Sequence, residues 1–246
     1  MQQEPFRIAQ DETRAIATIT LGRPEDGNKL MTHEVRGLGR AIREQGSRTD
    51  IKVVVIRAGG EHFCLGRQPD PPGQAPTTAL GIRSGVTEPI LDLYADVRAT
   101  PVPVLAVVQG EAKGFGCAFV GQCDLAIASE NAVFSMPEMD GNLPPTLAIS
   151  AVLGKVPPKR LLHMVYTRDK IDAAEALKLG IVGEVVSRAA LDAGVERLLS
   201  RLVDRKRSAL CAVKEYMLNA AHLDAGSAAR MAANILSVVL SSTEES

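Results

Sequence analysis

Apolar residues follow two regimes along this chain: short continuous or alternating runs, and longer stretches in which they recur every three or four positions. Residues 15–21 (AIATITL) alternate β-branched with smaller residues and stop at Gly22-Arg23-Pro24, which predicts a strand running into a turn. Thr32 reads as the N-cap of an amphipathic helix reaching about Gln45, with Val35, Leu38 and Ile42 on one face. Residues 51–56 (IKVVVI) and 103–108 are apolar without alternation, as strands buried on both faces are. Between them, RQPDPPGQAPTTALG predicts a long surface loop, followed by a helix from about Thr87 to Arg98. Short strands are predicted at 124–128 and 132–134. Beyond Pro158 the pattern turns helical, over 160–166 and over 172–179 with Gly180 as the stop, and a short apolar segment follows at 181–186. Residues 190–245 are helical with Ala-rich faces, the kind of surface that packs on another subunit. Strands alternating with helices predict an α/β fold, with a core over 1–189 and a helical lobe over 190–246.

Composition narrows the function. A chain of 246 residues with 46% apolar side chains buries a sizeable core without covalent staples. Its 28 Lys and Arg balance 29 Asp and Glu with no block of like charge, so bulk electrostatics offers nothing to nucleic acid or to a membrane surface, and a small-molecule ligand is expected. Cys64, Cys117, Cys123 and Cys211 lack zinc-type spacing and are too few for a disulfide scaffold, which fits reduced thiols in a cytoplasmic protein. His33, His62, His163 and His222 are scattered, and no metal is assigned. The polar N-terminal segment has no secretory pattern, and no apolar run approaches a membrane span.

The candidate chemistry lies in VVQGEAKGFGCAFVGQCDLAIAS, residues 107–129, where four glycines separate two apolar runs. Gly116 is followed by Cys117-Ala118 and not by Lys-Ser/Thr, which argues against a nucleotide P-loop. The spacing from Gly114 and Gly116 to Gly121 misses the dinucleotide fingerprint, and no acidic residue ends a second strand at the required distance. What remains is a strand, a glycine turn and a helix starting near Phe115, whose first N–H groups face one point and suit an anion, a transient oxyanion included. A second segment, GGEHFCLGRQPD over residues 59–70, also leaves a buried strand through a glycine turn, and two such turns from neighbouring strands can converge.

Taken in order, LGRPEDGNKL, VVVIRAGGEHFCLG, TPVPVLAVVQGEAKGFGCAFVGQCDLAIAS, AVFSMPE and IDAAEALKLGIVGEVV resemble the crotonase (enoyl-CoA hydratase/isomerase) superfamily over about residues 6–220. The resemblance implies a β-β-α spiral core with a C-terminal helical trimerisation lobe, an acyl-CoA thioester as substrate, no cofactor beyond the coenzyme A that the substrate carries, and a homotrimer or dimer of trimers. Carried over residue by residue, it implies an oxyanion hole made by the backbone N–H groups of Arg67 and Phe115, turn glycines Gly66, Gly114 and Gly116, and the Leu65 carbonyl against the adenine. Backbone donors do not depend on side-chain identity, so Arg67 and Phe115, at positions often small in relatives, do not abolish the hole. Lys113 and Arg67 are candidates for coenzyme A phosphates.

Two departures separate the chain from the hydratases of that family. They use two glutamates, and the first position here is Ala118, while the second is matched by Glu138 in SMPE. One carboxylate can shuttle a proton between carbons, whereas adding water normally uses two, so the pattern leans toward double-bond isomerisation. Asp140 and Glu111 are candidates for a substitute acid. The segment after Glu138, MDGNLPPTLAIS, replaces a glycine-rich helix start and implies a reshaped acyl pocket. A hydratase with a substitute acid and a catalytically weak coenzyme A thioester-binding protein stand as alternatives. Cys117 and Cys123 read as buried core thiols, and Asp124 as a bracket for the strand that follows it.

Overall fold

The computed structural model describes residues 4–242 except Asp70 and Pro72. Along the chain the strands are β1 (Phe6–Asp11), β2 (Ile16–Leu21), β3 (Val53–Ala58), β4 (Val104–Val108), β5 (Glu111–Lys113), β6 (Leu125–Ser129), β7 (Val133–Ser135), β8 (Ile171–Asp172) and β9 (Glu184–Val186). Six of them form one sheet in the order β1-β2-β3-β4-β6-β9, and β5-β7-β8 form a second. The large sheet is parallel apart from the antiparallel β1–β2 pair, with Ile16 opposite Val53 and Leu105 opposite Leu125. The helices are α1 (Thr32–Ser47), α2 (Ala79–Ile82), α3 (Glu88–Ala99), α4 (Phe115–Gln122), α5 (Thr146–Val152), α6 (Pro158–Thr167), α7 (Ala173–Lys178), α8 (Leu191–Val203), α9 (Arg207–Ala220) and α10 (Ala225–Ser241). Among the described residues, no helix is long and apolar enough to cross a membrane.

The unbroken apolar runs have a geometric reason. Side chains alternate across a strand, so Val54, Ile56, Val104, Ala106 and Val108 enter the main core with α1, α3 and α4. Val53, Val55, Leu105, Val107 and Ile127 project to the other face, where Leu191, Val195 and Leu199 of α8 cover them. Both faces of the central strands are dry, as a parallel sheet requires.

Three expectations need adjustment. Thr32 is the first helical residue and not the cap: Met31 holds the cap position, and its N–H donates to the Glu34 carboxylate at 2.7 Å. The helix predicted from about Thr87 does start there, at Glu88, but α2 takes the end of the predicted loop and a π-helical turn over Arg83–Thr87 joins it to α3. The polar N-terminal segment contains an edge strand, β1, which is largely exposed beyond Phe6 and therefore has no apolar run to betray it. Residues 243–245 of the predicted helical stretch, and two residues of the predicted loop, lie outside the described residues.

The site is positioned where the chain changes sheets. After β4 it turns at Gln109-Gly110, enters the small sheet as β5 with Glu111 opposite Val133, and starts α4 directly after Gly114. At the far end of α4, Asp124 accepts from the Val104 N–H at 2.8 Å, so its side chain fixes the start of the neighbouring strand β4 and not, as expected, the strand that follows it. Asp124 also takes an ion pair from Lys214 of α9 at 2.7 Å, and the same ammonium donates to the carbonyls of Val97 and Val102 at 2.9 and 3.3 Å. Lys214 is the one residue of α9 that is buried.

Removing the ammonium would leave a carboxylate and two carbonyls in a poorly hydrated place. Lys214→Met is expected to destabilise the chain by about 3 kcal/mol, the low end for a buried pair because water still reaches part of Asp124. Lys214→Met/Asp124→Asn should recover part of that loss in thermal melts, and a double variant as unstable as the single one would show that packing and not charge accounts for it.

Candidate active site

Two loops that are far apart in sequence are laid against each other by main-chain bonds. The Phe63 and Cys64 N–H groups both donate to the Glu111 carbonyl, at 3.1 and 3.2 Å, and the Lys113 N–H returns to the Cys64 carbonyl at 2.9 Å. Asn28, almost wholly buried, holds the first loop by donating its amide to the carbonyls of Gly59 and His62, both at 2.9 Å. Gln109 holds its start, donating to the Ala58 carbonyl at 2.8 Å. The Leu65 N–H reaches Gly27 at 2.9 Å, and the Gln68 N–H reaches Leu30 at 2.8 Å. Every turn of this loop therefore has a neighbour that defines it.

The glycines answer to two demands at this junction. Gly114 has φ +54° and ψ −114°, a region closed to L side chains, and its N–H donates to the Ser135 carbonyl at 2.8 Å. Gly116 has ordinary dihedrals but no room: a β carbon there would lie 2.2 Å from the Cys64 carbonyl oxygen. The first intrahelical bond of α4 runs from the Ala118 N–H to the Gly114 carbonyl at 3.0 Å, so the Phe115, Gly116 and Cys117 amides precede the helical ladder and give this end its positive character. On the other loop, Gly66 adopts φ +114° with its open side 3.5 Å from the Lys113 carbonyl, and Arg67 follows it. Gly66, Arg67, Gly114, Phe115 and Gly116 are thus brought together, as the two-turn reading expects. Leu65 packs its side chain over Gly27, and its carbonyl makes no hydrogen bond among the described residues.

Glu138 arrives from β7. That strand ends at Ser135, whose carbonyl holds Gly114, and the chain then folds into a 3-10 turn over Pro137–Gly141. A β carbon on Gly114 would lie 2.7 Å from Glu138 Oε1, so the carboxyl rests directly on the glycine that opens α4. Its other oxygen, Oε2, is buried and has no hydrogen-bond partner. Burial raises the carboxyl above the ordinary glutamate range, although its own backbone N–H and Lys113 pull the other way. Cys117 lies close enough to feel this charge, but burial is the larger effect and pushes its thiol up to about 12, so it stays protonated.

The candidate substitute acids are elsewhere. Glu111 is ion-paired with Lys170 at 2.7 Å, which holds its carboxyl below the usual range and leaves it a poor proton donor. Asp140 is paired with Arg168 at 2.8 Å on the exposed side of the same turn that bears Glu138. Ala118 is fully buried under the site. The Arg67 guanidinium donates to the Thr32 hydroxyl at 2.7 Å, which ties the first loop to the start of α1. Among the described residues, no group of three His, Cys, Asp or Glu side chains is placed to hold a metal ion.

Sequence reasoning did not find Asn28 or Gln109. Their only signal is a polar residue beside a glycine, Gly27-Asn28 and Gln109-Gly110, which reads as ordinary turn chemistry. The tight contact between loops gives a direct test. Gly116→Ala should cost about 1–3 kcal/mol in chemical denaturation, because the clash is with main chain that cannot rotate away. Gly37→Ala, in α1 with only the tip of Phe6 at 4.0 Å, should be neutral or stabilising.

Comparison with known proteins agrees with this architecture. The crystal structure of an enoyl-CoA hydratase from Mycobacterium smegmatis superposes with a TM-score of 0.92 at 27% identity, covering 98% of this chain and 92% of that one. Human enoyl coenzyme A hydratase domain-containing protein 3 gives 0.90, also at 27% identity, over 98% and 93%. In sequence, the mouse mitochondrial form of that protein is 29% identical over 84% of this chain and 68% of its own length. Carnitinyl-CoA dehydratase of Salmonella typhi is 32% identical over 81% and 76%. Residues 11–246 match the enoyl-CoA hydratase/isomerase family as a whole. The fold, the paired glycine turns and these likenesses lead to one conclusion: the chain belongs to the enoyl-CoA hydratase/isomerase, or crotonase, family.

Proposed function

We propose that this protein processes acyl-CoA thioesters through an enolate, with Glu138 as its single acid/base and double-bond isomerisation as its reaction. Glu138 takes a proton from C2 of a 3-enoyl thioester, and the electron pair moves into the carbonyl. The negative oxygen is met by the backbone N–H groups of Arg67 and Phe115, each worth about 3 kcal/mol in the transition state. The carboxyl then returns the proton to C4, and the double bond comes to rest between C2 and C3. Leu65 offers its carbonyl to the adenine.

The observation that carries this reading is Glu138 Oε2, a buried carboxylate oxygen without a partner beside the start of α4. Buried polar atoms are nearly always partnered, and a substrate proton would supply the partner that this oxygen lacks. The names of the relatives speak of hydration and dehydration, and Ala118 is what turns the reading away from water chemistry. Glu111 and Asp140, engaged with Lys170 and Arg168, give hydration no second acid.

Glu138→Gln is expected to lower turnover at least about a hundredfold with little change in acyl-CoA affinity. Because a base must be ionised and burial raises this carboxyl, the acid limb of kcat/KM should lie above the ordinary glutamate value of about 4.3. The same shift has a sign for stability. A carboxyl with a raised folded pKa makes the native state lose stability as pH rises through the interval between its unfolded and folded values. Glu138→Gln should therefore melt above wild type near neutral pH, with the gap closing toward about pH 4. A variant with full activity would make Glu138 structural.

A homotrimer or dimer of trimers completes the proposal. Val213 and Met217 of α9 and Leu236, Val238 and Leu240 of α10 are all more than half exposed, an apolar surface that suits a second subunit. Sedimentation should give a trimer or hexamer at micromolar concentration, and a monomer would contradict the assembly.

A further inference from the structure

Three of the chain's five phenylalanines stand in one row. Phe115 stacks on Phe119, one helical turn later, with ring centroids 6.0 Å apart and planes 14° from parallel. Phe119 meets Phe63 at 6.2 Å and 32°. Phe63 and Phe119 are completely buried, and Phe115 is 8% exposed.

The row runs from one glycine turn to the other. Phe63 opens the Cys64-Leu65-Gly66-Arg67 turn, and Phe115 is itself the residue whose amide is proposed as the second donor. The main-chain bonds described above tie the first turn to β5, whereas the rings tie it to α4. A backbone donor has no side chain of its own to aim it, so its direction is set by whatever fixes the turn.

We infer that Phe63, Phe119 and the Phe115 ring are positioning residues that hold the Arg67 and Phe115 amides at a fixed distance and angle to each other. The inference rests on the proposed reading of those amides as the oxyanion donors. It assigns the Phe115 side chain a purpose: its ring is the end of a strut. Aromatic pairs have preferred relative orientations that an aliphatic contact of similar volume lacks. Donors that act in the transition state should, when misaligned, affect kcat and leave KM nearly alone.

The test is Phe119→Leu, which keeps an apolar side chain and removes both ring contacts, with Leu38→Ala in α1 as a destabilised control from the same core but away from the turns. Amide hydrogen exchange is followed over residues 64–67 and 115–118, together with α-proton exchange on an acyl-CoA thioester. Phe119→Leu should speed amide exchange about tenfold in both turns. It should also lower kcat at least about tenfold with KM within about threefold. Leu38→Ala should lower the melting temperature without either effect. Faster exchange confined to α4, or a kcat loss no greater than that of Leu38→Ala, overturns the inference. If Phe119→Leu does not fold, Phe115→Leu removes one end of the row from a less buried position and must give the same pattern. A wild type that exchanges no α proton on any thioester ends the donor reading, while the amide exchange of the two turns still decides whether the rings couple them.

Discussion

The site depends on how closely two pieces of main chain approach. Gly116, in the first turn of α4, lies against the Cys64 carbonyl with no space for even one carbon between them, and that carbonyl also accepts the Lys113 N–H. Much of the local architecture serves this contact. β4 and β3 are neighbours in register, so the loops that leave their ends emerge side by side. The chain's change from the large sheet to the small one at Gln109-Gly110 lays β5 against the first loop, and Asn28 clamps that loop as well. Backbone amides and carbonyls must find partners when water is excluded, and here the two loops satisfy each other.

On this frame sits a carboxyl that is conspicuous for being alone. Glu138 rests on Gly114 with one oxygen unpartnered, and burial makes its charge costly. The neighbouring acids are committed elsewhere, Glu111 to Lys170 and Asp140 to Arg168, and Ala118 brings no proton. A buried acid with a raised pKa and an unpartnered oxygen suits the proton transfer proposed for it. On the proposed reading, Ala118 leaves Glu138 without a companion glutamate, and that restricts what it can do. A proton taken from one carbon can be delivered to another, but adding water normally uses one group to activate the water and one to protonate carbon.

Much of this was legible in the sequence, for reasons particular residues make plain. IKVVVI and its counterpart before Gly110 could be read as strands because both faces of the sheet are dry, and α4 could be started near Phe115 because glycines bracket it. The convergence of the two turns followed from their leaving neighbouring strands. β1 was not legible, since an edge strand in water has no apolar face to display, and β5 was hidden inside the glycine loop because three residues show no period. Asn28 and Gln109 look like turn residues until the carbonyls they hold are known. The unpartnered oxygen of Glu138 and the row of phenylalanines are facts of three dimensions, invisible to spacing.

The central claim is that one carboxyl carries the proton chemistry without water entering the product. It is tested most directly by giving the wild-type protein a 3-enoyl-CoA in D2O and resolving the products by mass and by nuclear magnetic resonance. The account predicts a conjugated 2-enoyl-CoA as the first product, with deuterium at carbon to the extent that Glu138 exchanges with solvent, and formation of 3-hydroxyacyl-CoA slower by at least about a hundredfold. A 3-hydroxyacyl-CoA that appears as fast as the conjugated isomer would contradict it.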